Sequence, residues 1–166
     1  MLSTKTGKIS IKTCIYNASG VGCRTYEELL KLNNCHNVGA VISKSTTLFP
    51  REGNLEPRYW DNKSLSINSS GLPNNGYQYY LDDQIISSIN KPYIVSISGT
   101  CFEDNITILN LASNKNIDGI ELNLSCPNVI GKSQIGYDFE AMEKLVSKAR
   151  NIIPTISNIN FGVKLP

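Results

Sequence analysis

No two cysteines in this sequence stand at a CxxC spacing. The five that exist (Cys14, Cys23, Cys35, Cys101 and Cys126) are scattered, so a zinc site built on that spacing is excluded. There is a single histidine, His36, in the polar turn NNCHN. It reads as a solvated surface residue, and a Cys–His nucleophile pair has no candidate. No apolar run approaches the ~18 residues of a membrane span, and the opening MLSTKTGKIS has no apolar h-region of a secretory signal. A strong charge of one sign is also missing. The net charge is +2 and the basic residues form no stripe, which argues against nucleic acid or a membrane surface as partner. An odd, unpaired cysteine set suits a reducing compartment, so the expected location is the cytoplasm.

What is present is a globular composition: 166 residues, 40% hydrophobic and 18% charged, enough for one domain with a core. Ile9-Ser10-Ile11 alternates and predicts one arm of a small hairpin. TYEELLKLNN predicts a helix, with Thr25 as N-cap and Glu28 at the capping-box spacing. NVGAVISK (residues 37–44) is a short apolar run between turn residues, hence a buried strand. Ser45 to about Tyr80 is rich in Pro and Gly but also in aromatics, so it reads as an ordered functional loop. Tyr93–Ser98 predicts a second strand. TCFEDNITILNLAS predicts a helix capped by Thr100 with Glu103, burying Phe102, Ile106 and Leu109. Gly119–Leu124 predicts a third strand, and YDFEAMEKLVSKARNII a helix with Phe139, Met142, Val146, Ala149 and Ile153 on one face. FGVKLP predicts a fourth strand.

Strands alternating with helices give an α/β fold with a parallel sheet. In α/β barrels chemistry gathers at the C-terminal ends of strands, which places Lys44, Asn123, Cys126 and Lys164 around one mouth. Cys126 has two readings. It is a buried structural thiol, or a base or nucleophile held just past a strand end beside Pro127. Lys44 and Lys164 are surface lysines, or two cations in one pocket suited to an anionic substrate or to a cofactor that becomes anionic on reduction. The stretch SINSSGLPNNGY is a turn-former, or a set of amides facing a planar polar ligand.

Seven stretches, NASGV, SKSTT, REGNLEPRY, SINSSGLPN, ELNLSCPNVIGK, YDFEAMEKL and GVKLP, together resemble the dihydroorotate dehydrogenases, specifically the soluble fumarate-linked class 1A. The resemblance implies an FMN-binding (β/α)8 TIM barrel that oxidises dihydroorotate to orotate in pyrimidine biosynthesis and reduces fumarate to succinate. It implies that Cys126 is the catalytic base, where the membrane-bound class uses serine. Ala18, Ser19 and Gly20 match the loop under the flavin ring. Lys44 and Ser45 match a flavin contact, with Lys44 also reaching the substrate. Asn68, Ser70, Gly71 and Leu72 match the substrate loop. Asn123 and Asn128 match amides that bind orotate, Asn123 also serving the cofactor. Lys164 matches the lysine beside the flavin pyrimidine edge, and Arg51, Pro57 and Arg58 match the arm of the active-site loop. The family's assembly is a homodimer.

Two departures accompany the resemblance. Ser70 stands where the family usually has methionine. The chain reaches only the fourth of eight strands, so residues 1–166 read as the N-terminal half of a single barrel domain, the remaining half carrying the phosphate site. Two other readings stay open. One is an inactive remnant, or a half-enzyme that needs a separately encoded second half. The other is a related flavin barrel, such as a dihydropyrimidine or dihydrouridine reductase, against which SINSSGLPN and REGNLEPRY favour dihydroorotate.

Overall fold

Polar residues recur at every second position near the ends of the apolar strands, and this alternation decides which side of the sheet meets the helices. A computed structural model describes residues 2–126, 134–153 and 158–166. The chain opens with a hairpin, β1 (Thr4–Thr6) and β2 (Ile9–Ile11). The first helix, α1 (Tyr26–Asn34), carries the expected capping box between Thr25 and Glu28. A strand β3 (Val41–Ile42), a second hairpin of β4 (Tyr59–Asp61) and β5 (Ser66–Asn68), and two short helices, α2 (Tyr77–Tyr80) and α3 (Asp83–Ser88), follow. Then come β6 (Tyr93–Ile97), α4 (Phe102–Ala112), β7 (Gly119–Asn123), α5 (Phe139–Ile152) and β8 (Asn160–Lys164).

The central sheet is parallel, in the order β3-β6-β7-β8. That is strand order equal to chain order, the pattern of a barrel wall. Tyr93, Val95 and Ile97 of β6, with Ile120 and Leu122 of β7, are buried in the main core. The alternate positions, Ile94, Ser96, Glu121 and Asn123, occupy the opposite face. That face is apolar at its lower end, where Ile9 and Ile11 of the first hairpin pack with Ala40 and Ile94. The hairpin is latched to β8: Asn160 donates to the Thr6 carbonyl at 3.0 Å. Gly7 has φ +56° there, and an added Cβ would stand 2.0 Å from the Asn160 side chain.

Five expectations are corrected. Regular pairing in residues 37–44 is confined to Val41–Ile42. Beyond it the backbone N–H of Lys44 turns to the Cys23 carbonyl (2.9 Å) and that of Ser45 to the Ser19 carbonyl (3.2 Å). The strand rejoins β6 only at Thr46, which bridges Ile97. The cap of α4 is Cys101, not Thr100. Thr100 instead engages the Asp104 carboxylate through its backbone and hydroxyl, which moves the helix start one residue on. Its buried face is Asn105, Ile108, Leu109 and Ala112, with Phe102 and Ile106 only partly covered. Phe139 is 75% exposed, because Asp138 caps α5 immediately before it and the burial falls on Leu145 and Ala149. The long loop contains the β4–β5 hairpin, closed by Asn62, whose side chain accepts from the N–H groups of Ser64 and Leu65.

Candidate active site

The segment from Asn17 to Cys23 reaches the sheet through a side chain that imitates a strand. Asn17 accepts from the Ile42 N–H at 2.9 Å and donates to the Ile42 carbonyl at 2.7 Å. This satisfies both outward-facing backbone groups of β3 at that residue, as a neighbouring strand would. With the Lys44 and Ser45 bonds it fixes the loop Ala18-Ser19-Gly20 over the end of β3. Cys23 is fully buried beneath the loop, and its thiol donates to the Gly20 carbonyl at 3.4 Å. Burial pushes this thiol up to about 11, against the pull of the Lys44 ammonium.

Under the loop runs a chain of hydroxyls, one carboxylate and one amide. Glu121 Oε1 accepts from Ser19 Oγ and from Ser96 Oγ, both at 2.8 Å. Ser96 Oγ lies 2.9 Å from Ser45 Oγ, and Asn123 Nδ2 donates to Ser45 Oγ at 2.9 Å. Asn123 Oδ1 in turn accepts from the Ser125 N–H at 3.0 Å, and Lys164 Nζ donates to the Ser125 hydroxyl. Ser19, Ser45, Ser96 and Asn123 are all buried, so each polar atom here is held in place by another. Ser98, next on the same face as Ser96, has a buried hydroxyl without a partner among the described residues.

Above this floor lies a cavity of about 430 Å³ whose lining includes Gly20, Lys44, Asn68, Ser70, Leu72 and Cys126. Six residues anticipated from sequence thus meet around one space. Ser19, Ser45, Asn123 and Lys164 stand behind the lining in the hydrogen-bonded floor. Ala18 is exposed on the loop. Asn128 and Pro127 lie outside the described residues. Lys44 Nζ donates to the Ser19 carbonyl at 3.3 Å. Burial lowers its pKa, with Cys23 and Cys126 pulling the other way and Lys164 and Arg24 adding to the depression.

The substrate-loop stretch turns back through two consecutive left-handed residues, Gly71 (φ +72°) and Leu72 (φ +59°). An added Cβ on Gly71 would meet the Asn54 backbone nitrogen at 2.4 Å. A leucine in this region is strained by ~1–3 kcal/mol; here it is buried and held by neighbours. Arg51 Nε donates to the Gly71 carbonyl at 3.3 Å, and Asn74 Nδ2 to the Leu72 carbonyl at 2.9 Å. Asn74 is the hub. Its fully buried side chain also accepts from the N–H groups of Thr47 (3.2 Å) and Gly76 (2.8 Å). Arg58 braces the arm, donating to the Glu52 carbonyl at 2.6 Å and pairing with Glu56 at 2.7 Å. The Glu56–Pro57 peptide is cis.

Sequence reasoning missed Glu121, Ser96, Arg24, Glu28 and Tyr59. The first two carried a signal, a polar residue at alternate positions of an apolar strand. Arg24, Glu28 and Tyr59 line the cavity through tertiary placement that has no local signature. Among the described residues no helix is long and apolar enough to cross a membrane.

Residues 1–166 match the dihydroorotate dehydrogenase family from end to end. The chain is 46% identical over 171 residues to dihydroorotate dehydrogenase A (fumarate) of Lactococcus lactis subsp. lactis (strain IL1403), a match covering 100% of this chain and 53% of that protein. Against the protein of the same name from Lactococcus lactis subsp. cremoris (strain MG1363) the identity is 45%, with the same two coverages. The chain therefore spans about half the length of these relatives. Four parallel strands in chain order, with a cavity at their C-terminal ends, are the first four β/α units of a (β/α)8 barrel, and the chain belongs to the dihydroorotate dehydrogenase family.

Proposed function

We propose that these residues are the N-terminal half of a single FMN-binding barrel domain that oxidises dihydroorotate to orotate with fumarate as electron acceptor. The observation that carries the reading is the convergence of Cys126, Lys44, Asn68 and Ser70 on one cavity, in a chain whose relatives are named for that reaction. The residues present fit a flavin ring. An added Cβ at Gly20 would meet no atom within 4 Å, so packing within the chain does not call for glycine there, whereas a flat ring laid on the loop would. One ammonium group, Lys44, lines that space and a second, Lys164, stands in the floor behind it, and the hydroxyl of Ser98, without a partner among the described residues, is left over on the same face of the sheet.

Ala18, Ser19, Gly20, Ser45, Asn123 and Lys164 would hold the ring. FMN, when bound, supplies the hydride acceptor for C6 of dihydroorotate and later returns the hydride to fumarate. The chain's own part is proton transfer and positioning. Cys126 Sγ takes the proton from C5, and the C5–H bonding pair becomes the new C5=C6 bond as the hydride departs. Lys44 meets the substrate's negative charge. Asn68, Ser70, Gly71 and Leu72 offer amide and backbone groups to its ring, and the two-fold family assembly supplies a second copy.

The test is an anaerobic spectrum of the flavin-loaded protein before and after dihydroorotate. Bleaching is expected, with Cys126→Ala slowing it by ~10²–10⁴-fold, the range of general-base catalysis, and Cys101→Ala leaving it unchanged. Equal bleaching in Cys126→Ala would overturn the base assignment.

A further inference from the structure

The cavity wall carries two cations, and the chemistry described so far uses one. Among the described residues that line it, Lys44 and Arg24 are the basic ones. Lys164 stands behind, on the Ser125 hydroxyl. The arginines of the arm are engaged elsewhere: Arg51 on the Gly71 carbonyl, Arg58 on Glu56 and on the Glu52 and Asn54 carbonyls. Glu28 also lines the cavity, but its Oε2 is held at the start of α1, accepting from the Arg24 N–H at 2.6 Å and the Thr25 N–H at 3.1 Å.

Arg24 has a fixed stem and a loose head. Its carbonyl accepts from Asn75 Nδ2 at 3.1 Å and from the Tyr80 hydroxyl at 3.0 Å, and its N–H is bound to Glu28, so the backbone is pinned on both sides. Its Nε donates to Asn75 Oδ1 at 3.2 Å. Beyond Nε, the contact among the described residues is an ion pair with Glu52 at 3.8 Å, longer than a hydrogen bond. The Glu52 side chain is 95% exposed, and a pair of this kind contributes little. A guanidinium so placed suits a carboxylate, which it grips through two parallel bonds. Arg24 is also among the charges that depress the Lys44 pKa, so an anion bound between the two relieves their repulsion.

We infer that Arg24 sets specificity for the oxidant, gripping the second carboxylate of a dicarboxylate while Lys44 takes the first. The inference rests on the reading above, in which fumarate follows dihydroorotate at the flavin. Dihydroorotate carries one carboxylate, which Lys44 answers. Fumarate carries two, at opposite ends of a short rigid chain, and Arg24 is the second cation of the wall. The Glu52 pair is the resting contact that the anion replaces.

The experiment uses the flavin-loaded protein. Fumarate, and crotonate with a methyl group in place of one carboxylate, are titrated into the oxidised protein, and binding is read from the flavin spectrum. Anaerobic bleaching by dihydroorotate is followed separately. Arg24→Gln should weaken fumarate about 10- to 100-fold, the worth of hydrogen bonds to a charged group, and leave crotonate binding and bleaching unchanged. Arg24→Lys, which keeps the charge without the fork, should lose less. Glu52→Gln should not weaken fumarate. Unchanged fumarate binding in Arg24→Gln overturns the inference. So does a joint loss of fumarate, crotonate and bleaching, which assigns Arg24 a structural role. So does a Glu52→Gln variant that copies Arg24→Gln, which makes Arg24 a latch on the arm. If Arg24→Gln fails to hold flavin, Arg24→Lys decides, and an equal loss for fumarate and crotonate overturns the inference. A wild-type protein that dihydroorotate does not bleach overturns the reading above and this inference with it. Normal bleaching with no preference for fumarate over crotonate overturns this inference alone.

Discussion

The floor of the cavity and the arm above it are built by opposite means. The floor is a set of polar side chains, all buried but the half-buried Glu121, in which Ser19 of the loop before α1, Ser45 just past β3, Ser96 of β6, and Glu121 and Asn123 of β7 hold one another through bonds of 2.8 to 2.9 Å. The arm is an exposed ribbon whose own contacts are short-range: Ser70 to Asn68, Asn54 to Ser69, Arg58 to Glu52. Rigid strand ends fix the groups that must not move relative to a ring. A ribbon with little packing supplies the side that a ligand must pass. The two meet at Asn74, whose amide ties Thr47 beside the floor to Leu72 and Gly76 in the arm.

If Asn74 is the junction, Asn74→Ala removes it and strands several buried backbone groups, each worth about 1–3 kcal/mol when left unsatisfied. A loss of about 3 kcal/mol or more is expected, read as a lowered urea midpoint with an unchanged slope. In the floor, Glu121→Gln keeps the shape but exchanges a charged acceptor of two hydroxyl donors for a neutral one. Bonds to charged groups contribute ~1.5–3 kcal/mol, so a loss of roughly 2 kcal/mol follows, and the ordering of the Ser19 loop, read by amide exchange, should fall with it. A result within error of wild type would show that the floor is not held by this carboxylate.

Cys23 sharpens the contrast by pH. Its thiol is raised from 9.0 in the open chain to about 11 in the fold, so the folded protein binds its proton more tightly. The stabilisation is complete below pH 9 and is lost as pH climbs toward 11, on the order of 3 kcal/mol at most. Cys23→Ala should remove this alkaline slope; a slope that survives would assign it to other groups. Lys44 acts in the opposite sense. Burial depresses its pKa below 10.5, so its penalty on the fold is present at neutral pH and fades as pH rises through the depressed value. Lys44→Met should stabilise the chain near neutrality while weakening anion binding. The smallest stability effect belongs to the arm. Asn68→Ala, at an exposed position, should change the urea midpoint by no more than ~0.5 kcal/mol while lowering orotate affinity. A large stability loss there would erase the distinction between the two regions.

Much of this was legible in the residues. Lys44, Asn123 and Lys164 follow apolar runs, and the alternation of strand and helix put them at one end of a sheet. The Thr25–Glu28 box marked the start of α1 because both partners lie within one turn. The floor was half legible: Ser96 in YIVSI and Glu121 in GIELN interrupt apolar strands at period two, but their common partner Ser19 is 102 residues from Glu121, and no local rule spans that distance. Strand β3 was overestimated because an apolar run shows the burial of its side chains and not where its N–H groups point. The β4–β5 ribbon hid inside a loop rich in Pro and Gly, although the alternation around DNKS was there to be read.

The sheet edge at β3 is closed by a side chain. There the Ile42 backbone is occupied by the Asn17 amide and the Lys44 N–H by the Cys23 carbonyl. An edge with unpaired N–H and carbonyl groups is a template for another chain. One asparagine takes those groups at Ile42, so a residue that orders a loop above the cavity also withholds that stretch of edge from aggregation.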